Sequence, residues 1–289
     1  MAVSVTSVKE LRERTGLGMI ECKNALKEAD GDIDLAIENL RKASGLKAAK
    51  KAGRTAAEGV IAVKVADDAS FGVLVEVNSE TDFAARDEGF LAFVAKATDL
   101  AFEKQAENIE ALGSDLDDDR NALVQKIGEN IGVRRVVAVR ATDGVVGSYV
   151  HSNSRIGVLI ELKGGNVELA RDVAMHVAAS NPQVVRASEM PEDVVNAEKE
   201  IIKAQPDMAG KPEAIVEKMM VGRINKFLKE NSLVDQAFIK NPELTVGKLV
   251  QDADADVVSK VRLEVGEGIE KKEENFAAEV AAQVAASKS

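Results

Sequence analysis

An internal repeat constrains the fold of this chain more than any other feature of its sequence. Residues 72–77 (Gly-Val-Leu-Val-Glu-Val) match residues 157–162 (Gly-Val-Leu-Ile-Glu-Leu) at an offset of 85, the difference between 157 and 72. Gly59 and Gly144 match at the same offset. Each match is a β-rich run followed by a stretch with helical spacing. The sequence therefore predicts a core made of two copies of a β-hairpin and helix unit.

The two copies differ in the connection between the second strand and the helix. Leu91-Ala92 matches Leu169-Ala170 at an offset of only 78, so the first copy is longer by 7 residues, the difference between the two offsets. The additional residues fall within 78–86, a polar stretch that contains Phe83. Loops on rigid scaffolds often carry functional residues. Two interpretations of Phe83 stay open: a ring that contacts a partner, or a ring that folds back over the core.

Apolar periodicity and turn residues place further elements along the core. Asp67–Ser70 is typical of a hairpin turn between two of the strands. The acidic run Asp115–Asp119 favours a helix beginning beside it. The predicted strands are 60–65, 71–77, 133–140, 145–150 and 156–162, and the predicted helices are 87–103, about 119–131 and 166–180.

The first 55 residues have a different character. Residues 4–44 show the spacing of three short amphipathic helices, divided at Thr15-Gly16 and Asp30-Gly31, which resembles a ubiquitin-associated (UBA-like) bundle. Residues 41–54 carry six basic and no acidic side chains, and we interpret them as a solvated, basic linker helix.

The C-terminal third predicts a helical hairpin. Residues 191–231 contain two apolar stripes around a tip with Pro206 and Pro212, which is typical of an antiparallel coiled coil. Residues 232–267 return to the core, and residues 268–286 are predicted to form a last helix. The predicted class is α+β. The predicted domains are an N-terminal module and linker (1–55), core subdomain N (56–140), core subdomain C (141–190 and 232–267), the hairpin (191–231) and a C-terminal helical module (268–289).

Composition and charge exclude several classes of function. The net charge is −11, although residues 1–55 carry +3, so broad nucleic-acid binding is not expected. No run of about 18 apolar residues is present, and the first residues lack the pattern of a signal peptide, so we expect no membrane association. The one cysteine, Cys22, excludes an internal disulfide framework. A reducing, cytoplasmic location is the expectation.

The residues that enzymes need are not arranged for catalysis. Gly16-Leu17-Gly18 lacks the Lys-Ser/Thr of a phosphate-binding loop, so direct nucleotide binding is not expected. His151 and His176 are the two histidines, and neither has a neighbouring cysteine. We therefore expect an interaction protein without cofactor or metal. Two alternatives stay open: an adaptor whose N-terminal module captures a helical or ubiquitin-like partner, and an enzyme that uses Cys22 or His151.

Four stretches resemble the elongation factor Ts family, in the same order and spacing over essentially the whole chain. They are residues 11–26 (Leu-Arg-Glu-Arg-Thr-Gly-Leu-Gly-Met-Ile-Glu-Cys-Lys-Asn-Ala-Leu), 80–86 (Glu-Thr-Asp-Phe-Ala-Ala-Arg), 148–159 and 265–271. Two positions depart from the family pattern: Ala84 stands where the family usually has Val, and Ile20 stands where Met is frequent. Both replacements are apolar, and the shorter Ala84 would weaken support of its loop slightly.

The resemblance implies a partner, elongation factor Tu, and a function, the release of GDP from it. It also leaves open both a single heterodimer and a dimer of heterodimers. In such a family member the loop residues Thr81, Asp82, Phe83 and Ala84 would enter the partner's nucleotide-binding domain and disturb the Mg²⁺ site, with Phe83 as the wedge. The other implied contacts are Arg12, Met19 and Ile20 of the N-terminal module, Ile127 and Gly128, His151, and, more weakly, Phe238 and Ile239.

Overall fold

The computed structural model describes residues 3–208 and 210–270 of the chain. The α-helices of this part are α1 (Val5–Thr15), α2 (Met19–Glu28), α3 (Ile33–Lys51), α4 (Glu88–Glu103), α5 (Asp117–Ile127), α6 (Val167–Ser180), α7 (Glu192–Lys203), α8 (Glu213–Asn231) and α9 (Val246–Gln251). The strands are β1 (Glu58–Val65), β2 (Phe71–Ser79), β3 (Gly132–Arg140), β4 (Gly144–Val150), β5 (Ile156–Lys163), β6 (Ala237–Phe238), β7 (Asn241–Thr245) and β8 (Asp256–Glu264). The predicted α+β class is confirmed.

Helices α1, α2 and α3 pack around one small apolar core that includes Leu11, Cys22 and Leu26. The Asp32 carboxylate accepts a hydrogen bond from the Leu35 amide at 3.0 Å and so begins α3, as the sequence predicts. Helix α3 then continues without a break to Lys51, and its second half buries Ser44 and Ala48 beside α5. The prediction of a solvated linker helix is therefore wrong for one face of this segment.

The first half-core, which we define as β1–β3 with α4 and α5, is an antiparallel sheet of order β1-β2-β3 with helices packed on one face. The predicted strands and helix α4 are confirmed. Helix α5 ends at Ile127 instead of residue 131, because Gly128 adopts a φ of 90° and closes the helix with a bond from its amide to the Val124 carbonyl.

The second half-core, which we define as β4, β5 and β8 with α6, repeats this architecture in a sheet of order β4-β5-β8. Its third strand comes from residues after the helical hairpin. The sequence places residues 232–267 in this subdomain but does not predict a strand there. The repeat extends to fine detail, because the strand register shifts just after Glu76 in one sheet and just after Glu161 in the other. A Cβ at Gly59 or Gly144 would lie about 2 Å from the neighbouring strand, which explains glycine at both positions.

The two sheets pack face to face through a third apolar cluster, which includes Ile61 and Leu74 of the first sheet and Leu159 of the second. Their outer faces are covered by α4 and α5 on one side and by α6 on the other. The core therefore has four layers, and the connections between strands and helices lie at its edges.

Helices α7 and α8 form the predicted hairpin, and they pack on each other through Ile202 and Ile224, with Met208 of the tip in the same apolar cluster. Residues 268–270, where the last helix was predicted to begin, form a turn and an irregular segment. The remainder of that predicted helix, 271–286, lies outside the described residues.

Candidate partner-binding site

The loop at residues 80–87, hereafter the wedge loop, projects Phe83 into solvent. The side chain of Phe83 is 80% exposed, the largest exposure among the described large apolar side chains. The interpretation in which this ring covers the core is therefore wrong. Two small residues beside it, Ala84 and Ala85, are buried and begin a short 3-10 turn, so they anchor the loop to the core while the ring points away.

A carboxylate from another segment holds the start of the wedge loop. The Thr81 amide donates to Glu129 Oε2 at 2.9 Å, and the Thr81 hydroxyl donates to Glu129 Oε1 at 2.6 Å. The same hydroxyl oxygen accepts a bond from the Ala84 amide at 3.2 Å. Hydrogen bonds to an ionised carboxylate are shorter and stronger than neutral ones. The two bonds from Thr81 to Glu129, hereafter the fork, therefore hold the first residues of the wedge loop in place.

Asp82 lies next to the ring and is only partly exposed. Its carboxylate accepts a hydrogen bond from Arg86 at 2.8 Å, four residues further along the loop. Asp87 ends the loop, and its side chain accepts bonds from the Gly89 and Phe90 amides, which caps α4. Both ends of the wedge loop are thus tied by carboxylates.

Ile127 and Gly128, which the resemblance places near the wedge, lie on the turn that supplies Glu129. In that turn the Asn130 amide donates to Glu80 Oε1 at 2.6 Å. The ammonium of Lys51, at the end of α3, donates to the Gly128 carbonyl. The structure therefore brings Thr81–Ala84 together with residues 127–130, which are distant in sequence.

The three candidate contacts on the N-terminal module are all at the surface. Met19 is 55% exposed, Ile20 is 78% exposed, and Arg12 is exposed on α1. Met19 and Ile20 line an apolar groove between α2 and α3 together with Leu40 and Ala43. This geometry suits a helix from another protein, since such grooves accept apolar side chains at helical spacing.

The remaining candidates belong to the second half-core. His151 is exposed, and its Nδ1 lies 3.2 Å from the Tyr149 hydroxyl. Ile239 is 41% exposed, but the neighbouring Phe238 is 4% exposed and packs in the second core beside His176. The expectation that Phe238 contacts a partner is therefore not supported, because its ring is already used within the fold.

The structure adds Glu129, Glu80 and Lys51 to the candidate site, and sequence reasoning did not single them out for a role. Glu129 follows directly after Ile127 and Gly128, which the resemblance indicates. Its position next to them in the sequence is a signal that could have pointed to it. Among residues 3–208 and 210–270, no group of three or more His, Cys, Asp or Glu is placed to hold a metal ion. Within the same ranges, no helix combines the length and apolarity that a membrane crossing requires.

Comparison with known proteins agrees with this geometry. The family model described as elongation factor TS matches residues 80–267, which include the wedge loop and the second half-core. The protein named elongation factor Ts of Saccharophagus degradans is 73% identical, and the alignment covers 100% of both chains. The one of Teredinibacter turnerae is 71% identical over 100% of this chain and 99% of its own. The one of Cellvibrio japonicus is 67% identical over 99% and 98%.

A packed core that presents an exposed aromatic loop and an apolar groove is typical of proteins that act by binding another protein. The chain belongs to the elongation factor Ts family. It is a translation elongation factor of the nucleotide-exchange class, and it is not an enzyme.

Proposed function

We propose that this protein binds elongation factor Tu in its GDP-bound form and promotes release of the GDP by disturbing the Mg²⁺ and phosphate site. The observation that carries the proposal is the 80% exposure of Phe83 at the tip of a loop whose two ends are anchored. An aromatic ring held in water by its own fold is available to a second protein. Family membership supports the identity of the partner.

Binding energy explains why several contacts must act together. An exchange factor lowers nucleotide affinity only by as much as it prefers the partner conformation that holds nucleotide poorly. A 1,000-fold weakening needs about 4 kcal/mol of such preference. Burial of one Phe side chain supplies about 1.5–3 kcal/mol, so Phe83 alone falls short.

We assign the remaining preference to the other candidate contacts. The UBA-like module of residues 1–55 grips the partner through Arg12, Met19 and Ile20. Ile127, Gly128 and His151 contact it near the wedge loop, with Asp82 as the polar companion of Phe83. Ile239 contacts a different domain of the partner. The core subdomains (56–140, then 141–190 with 232–267) hold these contacts at fixed spacing.

The test is release of a fluorescent GDP analogue from elongation factor Tu, followed with and without this protein over a range of Mg²⁺ concentrations. We expect the wild-type chain to accelerate release and Phe83→Ala to lower the maximal rate about 10- to 100-fold, since each 1.4 kcal/mol is tenfold. Thermal unfolding of Phe83→Ala should match the wild type, because an 80% exposed ring contributes little to the core.

Val167→Ala is the matched control, since Val167 is a 48% exposed apolar residue at the start of α6, directly after the corresponding connection of the second half-core. It should leave release unchanged. Equal loss of stability and activity in Phe83→Ala would contradict the wedge role. Binding of elongation factor Tu without any acceleration of release would favour the adaptor alternative instead.

A further inference from the structure

Glu129 is placed to control the direction in which Phe83 projects. We propose that Glu129 is a positioning residue for nucleotide exchange, which acts through Thr81 and the wedge loop instead of through its own contact with the partner. The inference rests on the proposed function and adds a residue to it that the sequence resemblance does not supply.

The hydrogen bonds around Phe83 form a continuous chain. Both carboxylate oxygens of Glu129 are occupied by Thr81, at 2.9 Å and 2.6 Å. The Thr81 hydroxyl then accepts the Ala84 amide at 3.2 Å, and the Thr81 carbonyl accepts the Ser79 hydroxyl at 2.9 Å. Phe83 lies between Thr81 and Ala84, the two residues that these hydrogen bonds hold in place. The backbone on each side of the ring is therefore tied to Glu129.

Glu129 is itself held in place by its two neighbours in the chain. The Gly128 carbonyl before it accepts the Lys51 ammonium, and the Asn130 amide after it donates to Glu80 at 2.6 Å. The Asn130 side chain donates to the Ala52 and Arg54 carbonyls at 3.3 and 2.8 Å, just beyond α3. The turn and the wedge loop therefore hold each other, each offering a glutamate to the other's backbone.

This arrangement has a clear consequence for exchange. A loop that is already ordered loses less conformational freedom when its aromatic residue enters a partner. If the Glu129 carboxylate is removed, the Thr81 amide and hydroxyl can donate to water instead. The free energy of folding then changes little, since Thr81 is exposed. The wedge loop then samples other orientations, and the ring must be ordered during the exchange step. The loss falls on the maximal rate of release more than on capture of the partner.

The experiment measures stimulated release of the fluorescent GDP analogue as a function of factor concentration, using the full chain. We expect Glu129→Ala to lower the maximal rate roughly tenfold and to change the half-saturating concentration less than about twofold. Glu129→Gln, which keeps one acceptor oxygen, should lie between.

A double-mutant cycle separates positioning from direct contact. Thr81→Val removes the hydroxyl. The double variant Thr81→Val, Glu129→Ala should release GDP with the same maximal rate as Glu129→Ala alone, since both changes break the same series of hydrogen bonds. Glu189→Ala is the matched control: Glu189 accepts the Val185 and Arg186 amides at 3.1 and 3.2 Å on a different connection, and its removal should leave the maximal rate unchanged.

Each outcome decides the matter. Multiplicative losses in the double variant would overturn the inference, because Glu129 would then act independently of Thr81. An unchanged rate in Glu129→Ala, with a slowed rate in Phe83→Ala, would overturn the inference and leave the proposed function standing. A wild-type chain that does not accelerate release would overturn the proposed function, and the inference with it.

Discussion

Each half-core has its own three-stranded sheet, a helix packed on it and a register shift at the same repeat position. The two differ in the connection that joins the sheet to the helix. The second half-core crosses from β5 to α6 with Gly164, Gly165 and Asn166, and Asn166 caps the helix by accepting the Leu169 amide at 2.9 Å. The first half-core uses residues 80–87 for the same crossing and caps α4 with Asp87. The comparison teaches that a sheet and helix present in both half-cores carry the wedge loop only where the connection between them is long.

The half-cores also treat one repeated glutamate differently. Glu76 is fully buried and meets Arg134 at 3.1 Å, the Arg135 guanidinium and the Gly266 amide at 2.9 Å. Burial opposes its charged form, but the Gly266 amide and the two guanidinium groups outweigh it and lower the pKa of Glu76. Its counterpart Glu161 is 9% exposed and accepts bonds from Ser259 at 3.0 Å and the Thr142 amide at 3.4 Å.

The largest expected effect is on stability at Glu76. Glu76→Ala should lower the free energy of unfolding by about 3 kcal/mol, because it leaves the Gly266 amide without its acceptor and removes the carboxylate that two guanidinium groups face. Both guanidinium groups keep bonds to Glu264 or Glu267. Glu161→Ala should cost about 1–2 kcal/mol, since the donors that lose their acceptor, a hydroxyl and an amide, carry no charge. Denaturant unfolding of both variants measures the difference. Equal losses would show that the two glutamates have the same role in both half-cores.

A transplant of the short connection tests the functional part of the comparison. Replacing residues 80–87 by Gly-Gly-Asn, as at 164–166, should lower stimulated GDP release about 100-fold, because Phe83 and its fork to Glu129 are removed together. Release of the fluorescent analogue gives the rate, and circular dichroism checks the fold. Phe83→Gly in the intact loop serves as the milder variant. Retained stimulation in the transplant would break the link between loop length and function.

The smallest expected effect is an acid sensitivity between pH 7 and 5 that His176 of the second half-core causes. His176 is buried there, and Thr98 occupies the corresponding position of the first. Burial lowers the pKa of His176, although a bond to Gln236 at 2.9 Å acts in the opposite direction. The unfolded chain then binds a proton more readily than the folded one below about pH 6.5. The free energy of unfolding should fall as pH drops from 7 to 5, by at most about 1.4 kcal/mol per unit.

His176→Gln should flatten this pH dependence, because glutamine does not titrate. His151→Gln is the control, since His151 is exposed, and its slope should equal that of the wild type. Chemical denaturation at several pH values provides the measurement. A slope that persists in His176→Gln would place the acid-sensitive group elsewhere.

Much of the fold could be predicted because its signals are local. The repeat, Asp32 at the start of α3 and the proline-bounded tip of the hairpin each depend on neighbouring residues. Strand β8 could not be placed, since its partner β5 lies on the other side of the hairpin and pairing between distant segments leaves no local pattern. The end of α5 was missed because a single φ at Gly128 decides it.

The candidate site divides in the same way. The extra length of the wedge loop was visible in the sequence, and so was Phe83, but its exposure was not. Phe238 and Ile239 look alike as adjacent apolar residues, yet they point to opposite sides of a short strand end, one inward and one outward. Glu129 gains its role only from a contact with Thr81 that the chain's folding creates.

The position of the hairpin α7–α8 between β5 and β8 has a consequence for biosynthesis. A nascent chain can complete the first sheet once residue 140 has left the ribosomal tunnel, whereas the second sheet waits for residue 264. Glu76 waits even longer for its Gly266 donor. During translation, the half that bears Phe83 can therefore be assembled first, while its buried Glu76 receives the Gly266 hydrogen bond only near the end of synthesis.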